Sequence, residues 1–128
     1  MVRRLWYRRA IAWSLSALLV WAGFNMALAG QPESWYRDRF CAELGGETEV
    51  RVKGGRIDCL TDRYAIEVDK AANWKEGIAQ ARWYAIQTGK IPGLLLITRP
   101  GGPYRQYAEE YLHAVGAYVR IWTMPAVR

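Results

Sequence analysis

The chain has 128 residues, enough for one domain. Its formal net charge is +6, but Arg3, Arg4, Arg8 and Arg9 sit in an acid-free leader; without them the rest carries 14 basic and 12 acidic residues, a net of +2. The basic balance is therefore no argument for nucleic-acid binding. Two cysteines and a single histidine, His113, which nothing places beside either of them, argue against thiol catalysis.

Residues 1–29 read as an export segment. A basic stretch to Arg9 precedes an apolar run from Ala10 to Phe24, and Ala27-Leu28-Ala29 supplies a small-x-small cleavage pattern before Gly30. The alternative is an uncleaved anchor, because the uncharged run from Ala10 to Pro32 exceeds the ~20 residues that span a bilayer. Either places residues 30–128, read as a single domain, outside the cytoplasm: periplasmic or secreted, or tethered to the membrane. In an oxidising compartment the even count of Cys41 and Cys59 suggests a disulfide worth roughly 3 kcal/mol, with two buried free thiols as the alternative.

The elements follow in order. Glu33–Leu44 is predicted helical, with Trp35, Phe40 and Leu44 spaced for one face and Gly45-Gly46 as the stop. Glu47–Lys53 alternates as a strand, Gly54-Gly55 signals a hairpin, and Arg56–Leu60 and Tyr64–Asp69 are two more strands. Trp74–Gln87 is a helix whose Trp74, Ile78, Ala81 and Ala85 line one side. Gly93–Thr98 is a short apolar run suited to a buried strand. A third helix spans Tyr104–Val115 with His113 at its surface or boundary, and Tyr118–Thr123 is the last strand. The order α-β-β-β-α-β-α-β implies an α/β fold with a partly parallel sheet and helices on its faces.

Strand alternation puts Asp58 on a face with Arg56 and Leu60, opposite to Ile57 and Cys59, and Glu67 on a face with Ala65 and Asp69. With a two-residue turn at Thr61-Asp62, Asp58 lies opposite Ala65 and diagonal to Glu67. A four-residue loop sets Asp58 directly opposite Glu67, and a three-residue loop separates the two by face. Converging carboxylates suit Mg²⁺, which takes oxygen ligands and can activate water beside a phosphate; the plainer reading is a solvated hairpin face. The aromatic residues Trp35, Trp74, Trp83, Tyr84, Tyr104, Tyr107, Tyr111 and Trp122 fall mostly at helical or strand spacing and read as core rather than as base-stacking groups.

The run Arg56-Ile-Asp-Cys-Leu60, then Ala65-Ile-Glu-Val-Asp69, then the helix from Trp74 resembles the PD-(D/E)xK nuclease superfamily, the restriction-endonuclease-like fold, over nearly all of residues 33–123. The resemblance implies a helix, three strands, helix, strand core, here with an extra helix and a C-terminal strand. It implies Asp58 and Glu67 as ligands of Mg²⁺ or Mn²⁺, with the Val68 carbonyl as a further ligand, and nucleic acid as partner and substrate; no small-molecule cofactor is indicated. Gln80-Ala-Arg-Trp-Tyr84 resembles the Q-x-x-x-Y element of RecB-like members, and Glu43 is a candidate for the extra acid that some members carry on the first helix. The E-x-K lysine position holds Asp69. Lys75 and Lys70 are the candidate substitutes, Asn73 stands where a relocated lysine would be useful, and Asp69 is a candidate third metal ligand. A nuclease and a fold retained as a binding or structural module without catalysis are the two functional expectations.

Overall fold

A computed structural model of the chain describes residues 30–128; the leader expected at 1–29, with its cleavage or anchoring, lies outside the described residues. Helix α1 spans Glu33–Glu43 and ends where Gly45, at φ +66°, takes the left-handed conformation. The Gly45 and Gly46 N–H groups then donate back to the Ala42 and Cys41 carbonyls, satisfying the last turn. Strands β1 (Glu47–Val52), β2 (Gly55–Leu60) and β3 (Tyr64–Lys70) run antiparallel in succession. A short 3-10 turn, Ala71–Asn73, leads into α2 (Trp74–Thr88). Strand β4 (Ile91–Thr98), helix α3 (Tyr104–Ala114) and strand β5 (Arg120–Pro125) complete the chain.

The five strands form one mixed sheet in the order β1-β2-β3-β4-β5, with β3, β4 and β5 parallel. This is the α/β class expected. The sheet buries apolar residues on both faces. On one, Tyr36, Phe40 and Cys41 of α1 pack on Cys59, Ile66, Val68, Leu95 and Ile97. On the other, Trp74, Ile78 and Ala81 of α2 and Ala108 and Leu112 of α3 pack on Leu94 and Leu96. Burial on both sides explains why β4 reads as an unbroken apolar run.

Several expectations shift. The buried face of α1 is Tyr36, Phe40 and Cys41, while Trp35 is only partly covered and Leu44 is exposed. The Cys41–Cys59 disulfide, between Cα atoms 5.6 Å apart, fixes the rotation of α1, whose own pattern is weakly amphipathic. Strand β4 starts two residues early, at Ile91, and β5 is displaced two residues towards the C-terminus. Of the aromatic residues read as core, Trp74 and Tyr84 are buried, whereas Trp83, Tyr104, Tyr107 and Tyr111 are exposed.

Candidate functional site

The turn between β2 and β3 sets the register. Its tip is Asp62-Arg63, one residue later than the expected Thr61-Asp62. The Thr61 N–H donates to the Tyr64 carbonyl at 2.9 Å, and the Thr61 hydroxyl accepts the N–H groups of Tyr64 (2.9 Å) and Arg63 (3.2 Å). Leu60 therefore pairs with Ala65 and Cys59 with Ile66. One step further in that register, Asp58 stands directly opposite Glu67.

Regular pairing stops there, and the carboxylates bridge the strands instead. The Val68 N–H donates to Asp58 Oδ2 at 2.8 Å, and the Asp58 N–H reaches Glu67 Oε1 at 3.4 Å. The other side of β2 is irregular at the same point. Thr48 pairs with Cys59 and Val50 with Ile57, but Glu49, across from Asp58, adopts φ +55°. Left-handed backbone is uncommon for a residue with a Cβ and costs on the order of 1 kcal/mol. Its consequence corrects the expectation from alternation. Cys59 packs against α1, but Ile57 packs with Ala65, Tyr84 and Ala85 on the α2 side. The outer half of the β1–β2 hairpin thus rolls across the sheet edge, and Asp58 lies at the crossing point.

Both helices reach that point. Glu67 is the one buried acid among the described residues, 6% exposed. Burial first, and the neighbouring Asp58 charge second, raise its carboxyl to about pKa 9. Burial also raises Asp58, while the Val68 N–H, a hydrogen bond from Glu67 and the Arg37 guanidinium pull the other way. Both carboxyl groups are thus harder to ionise than free ones, Glu67 the more so because it is the more deeply buried. Tyr84 comes from α2, with its hydroxyl at the Cα of Gly55, where a side chain of any size would strike the phenolic oxygen. Burial and the charges of Glu67 and Asp58 raise the Tyr84 hydroxyl.

Asp69 accepts hydrogen bonds from the Lys70 N–H (2.8 Å) and the Asn73 side-chain amide (2.9 Å), so Asn73 caps this acid rather than standing free. Burial raises Asp69, with Glu76 and Asp58 adding to the effect. Gln80 is half-buried one turn before Tyr84. Lys75 is exposed, with its Nζ 5.5 Å from the Trp74 ring centroid, and Lys70 is exposed at the end of β3. Among the described residues neither lysine forms an ion pair with Asp58 or Glu67.

The acid of α1 that faces this cluster is Glu33 and not Glu43. Partial burial and the charges of Asp69 and Asp58 raise Glu33, opposed by Lys70, while Glu43 is exposed at the other end of the helix. Beside Glu33 along α1 lies Arg37, whose side chain is 16% exposed and pairs with Asp38 (2.8 Å) and Glu49 (3.1 Å). Sequence reasoning missed Glu33, Arg37 and Glu49. A signal for the first two was present: Glu33, Arg37 and Cys41 form an i, i+4, i+8 row, and the disulfide aims that row at the strand carrying Asp58.

No protein-family model matches the chain, and no solved structure matches it significantly. Two KilA-N domain-containing proteins of Acanthamoeba polyphaga mimivirus are similar to part of it. One is 36% identical over 62 residues, 48% of this chain and 25% of the relative. The other is 42% identical over 41 residues, 32% of this chain and 12% of the relative. The matches thus take in a quarter or less of either relative's length.

Proposed function

We propose that residues 30–128 are an exported, metal-dependent nuclease domain of the PD-(D/E)xK type, hydrolysing phosphodiester bonds of nucleic acid. The observation that carries the reading is the opposition of Asp58 and Glu67 where β2 and β3 stop pairing. Each carboxylate spends one oxygen on the facing strand's backbone, and their mutual repulsion in a partly dry setting is the environment that a divalent cation relieves. No group of three or more His, Cys, Asp or Glu side chains with the layout of a metal cage occurs among the described residues. Mg²⁺ does not need one, because it is commonly held by one or two carboxylates and keeps several waters. Asp58 and Glu67 fit that demand, with the Val68 carbonyl as a further oxygen and Asp69 alongside. Bound there, Mg²⁺ or Mn²⁺ would lower the pKa of water and offset charge on a phosphate.

The chain's own groups supply the rest. Val68 N–H orients Asp58, Tyr84 closes the α2 side and abuts the hairpin at Gly55, and Gln80 lies on the same stripe of α2. The second reading is a module of the same fold that binds without cutting. It is favoured by the placement of Lys75 on Trp74 and by the closure of Asp69 on Asn73, which leave the E-x-K lysine without a replacement at those positions.

The test is cleavage of DNA and RNA by the oxidised protein in Mg²⁺ or Mn²⁺, with Asp58→Ala and Glu67→Ala alongside. The nuclease reading requires activity that falls at least about 100-fold in both variants, as expected when a group acting on the developing charge is removed. Calorimetric Mn²⁺ affinity should rise between pH 6 and 9 as the buried Glu67 carboxyl gives up its proton. A parent protein that neither cuts nor binds Mn²⁺ would leave the module reading.

A further inference from the structure

The acids account for one half of a phosphate-handling site; the other half needs positive charge, and neither Lys75 nor Lys70 supplies it. Positive charge is present on the opposite flank of Asp58. Arg37 Nη1 of α1 and Arg56 Nη1 of β2 both lie on a single oxygen of Glu49, Oε1, at 3.1 and 3.3 Å. Glu49 is the residue of β1 that faces Asp58, and its left-handed backbone is the strained point of the hairpin. A non-glycine residue keeps such a conformation only where its surroundings over-determine it, and such strain gathers at working sites. Here the strained residue gathers two guanidinium groups from separate elements beside the paired acids.

We propose that Arg37 and Arg56, held together on Glu49, are the phosphate-binding cations of this site, standing in for the lysine that the E-x-K pattern lacks here. The proposal rests on the nuclease reading and extends it by naming the groups that meet the substrate's phosphates. Glu49 alone does not neutralise two arginines, and the other acid paired here, Asp38, is exposed and meets only Arg37. Arg37 has committed Nε to Asp38 and Nη1 to Glu49 and keeps Nη2 without a hydrogen-bond partner among the described residues. The Arg56 side chain is 58% exposed and can turn to a ligand without unfolding anything. Guanidinium stays charged at every working pH and binds phosphate oxygens in a planar fork. Arg37 meets Glu49, the β1 residue across from Asp58 in the hairpin register, so its charge lies on the flank of the proposed metal ligands rather than on a remote surface.

The ordinary alternative is an ion-pair clamp that fastens α1 to β1. Salt dependence separates the two. Removing one phosphate-binding cation lowers the slope of log affinity against log salt by about one, whereas breaking a purely structural clamp leaves that slope alone. The experiment uses the full chain with fluorescein-labelled DNA and RNA oligonucleotides in Ca²⁺, read by anisotropy over a salt series. Arg37→Gln and Arg56→Gln should each weaken binding roughly tenfold and lower the slope by about one, whereas Arg37→Lys keeps most of the slope. Each variant should still bind Mn²⁺ by calorimetry, and thermal melting should show all three variants folded. If Arg37→Gln unfolds, the exposed Arg56→Gln and the charge-retaining Arg37→Lys decide the matter. Folded variants with parental affinity and slope overturn the proposal. A parent that binds Mn²⁺ but no oligonucleotide also overturns it and leaves the metal site standing. Arginine-dependent oligonucleotide binding without any Mn²⁺ binding supports the arginine assignment and overturns the metal reading instead.

Discussion

Glu67 is a buried acid that folding makes harder to ionise. Its ordinary carboxyl pKa of 4.5 rises to about 9, first through burial and then through the charge of Asp58. Below 4.5 both the folded and unfolded chains carry the proton, and the stabilising effect is fully present. Between 4.5 and about 9 the unfolded chain releases it while the folded chain retains it, so stability declines as pH rises through that window. Glutamine keeps the shape and removes the titration. Glu67→Gln should therefore match the parent near pH 4 in metal-free buffer and exceed it by on the order of 1–3 kcal/mol at pH 8. Urea unfolding at a series of pH values measures this, and a parent with flat stability across the window would contradict the assigned burial. If the proposed metal site is correct, added Mn²⁺ should stabilise the parent at pH 8 by mass action and narrow the gap.

At the level of elements, the contact that aligns α2 with the β1–β2 hairpin is the Tyr84 hydroxyl seated at Gly55. Gly55→Ala puts a methyl group into the space of that oxygen and should cost about 1–3 kcal/mol, the usual range for overpacking. Removing the hydroxyl opens the space, so the same change made in a Tyr84→Phe background should cost markedly less, and a double-mutant cycle by thermal or urea unfolding reads the difference. The side of α2 that packs on the sheet was legible because Trp74, Ile78, Ala81 and Ala85 recur at the helical period on a helix with one clear partner. The face of α1 was not, because its orientation depends on a covalent bond to Cys59 rather than on periodicity. The candidate site was legible as residues but not as geometry. Asp58 and Glu67 could be named, yet their opposition depends on where Thr61 closes the turn, and a one-residue change of phase there would move every pairing. Nor does anything local in Glu49 announce a left-handed backbone, so the crossing of the hairpin, and with it the approach of Arg37, depends on tertiary contacts.

Over the whole domain, the disulfide links these observations. Cys41 and Cys59 are fully buried, 18 residues apart, and join α1 to the strand residue that follows Asp58. The C-terminus is fastened to the same helix, since the Val127 N–H donates to the Tyr36 hydroxyl at 2.8 Å. Helix α1 buries only Tyr36, Phe40 and Cys41, a small apolar contribution for an element that must hold Glu33 and Arg37 beside the acids. In a domain of this size a cross-link closing such a loop is worth about 3 kcal/mol. Cys41→Ala/Cys59→Ala should therefore lose about that much stability in urea unfolding. Because the sulfurs are buried, dithiothreitol should reduce the parent slowly in native buffer and rapidly once urea opens the domain, as followed by thiol labelling. On the nuclease reading, loosening α1 takes Arg37 away from Glu49, so the double variant should bind oligonucleotide more weakly while still binding Mn²⁺. The acid pair on β2 and β3 stays in register through the Thr61 turn, while the Arg37–Glu49 link on the other flank is the part that weakens.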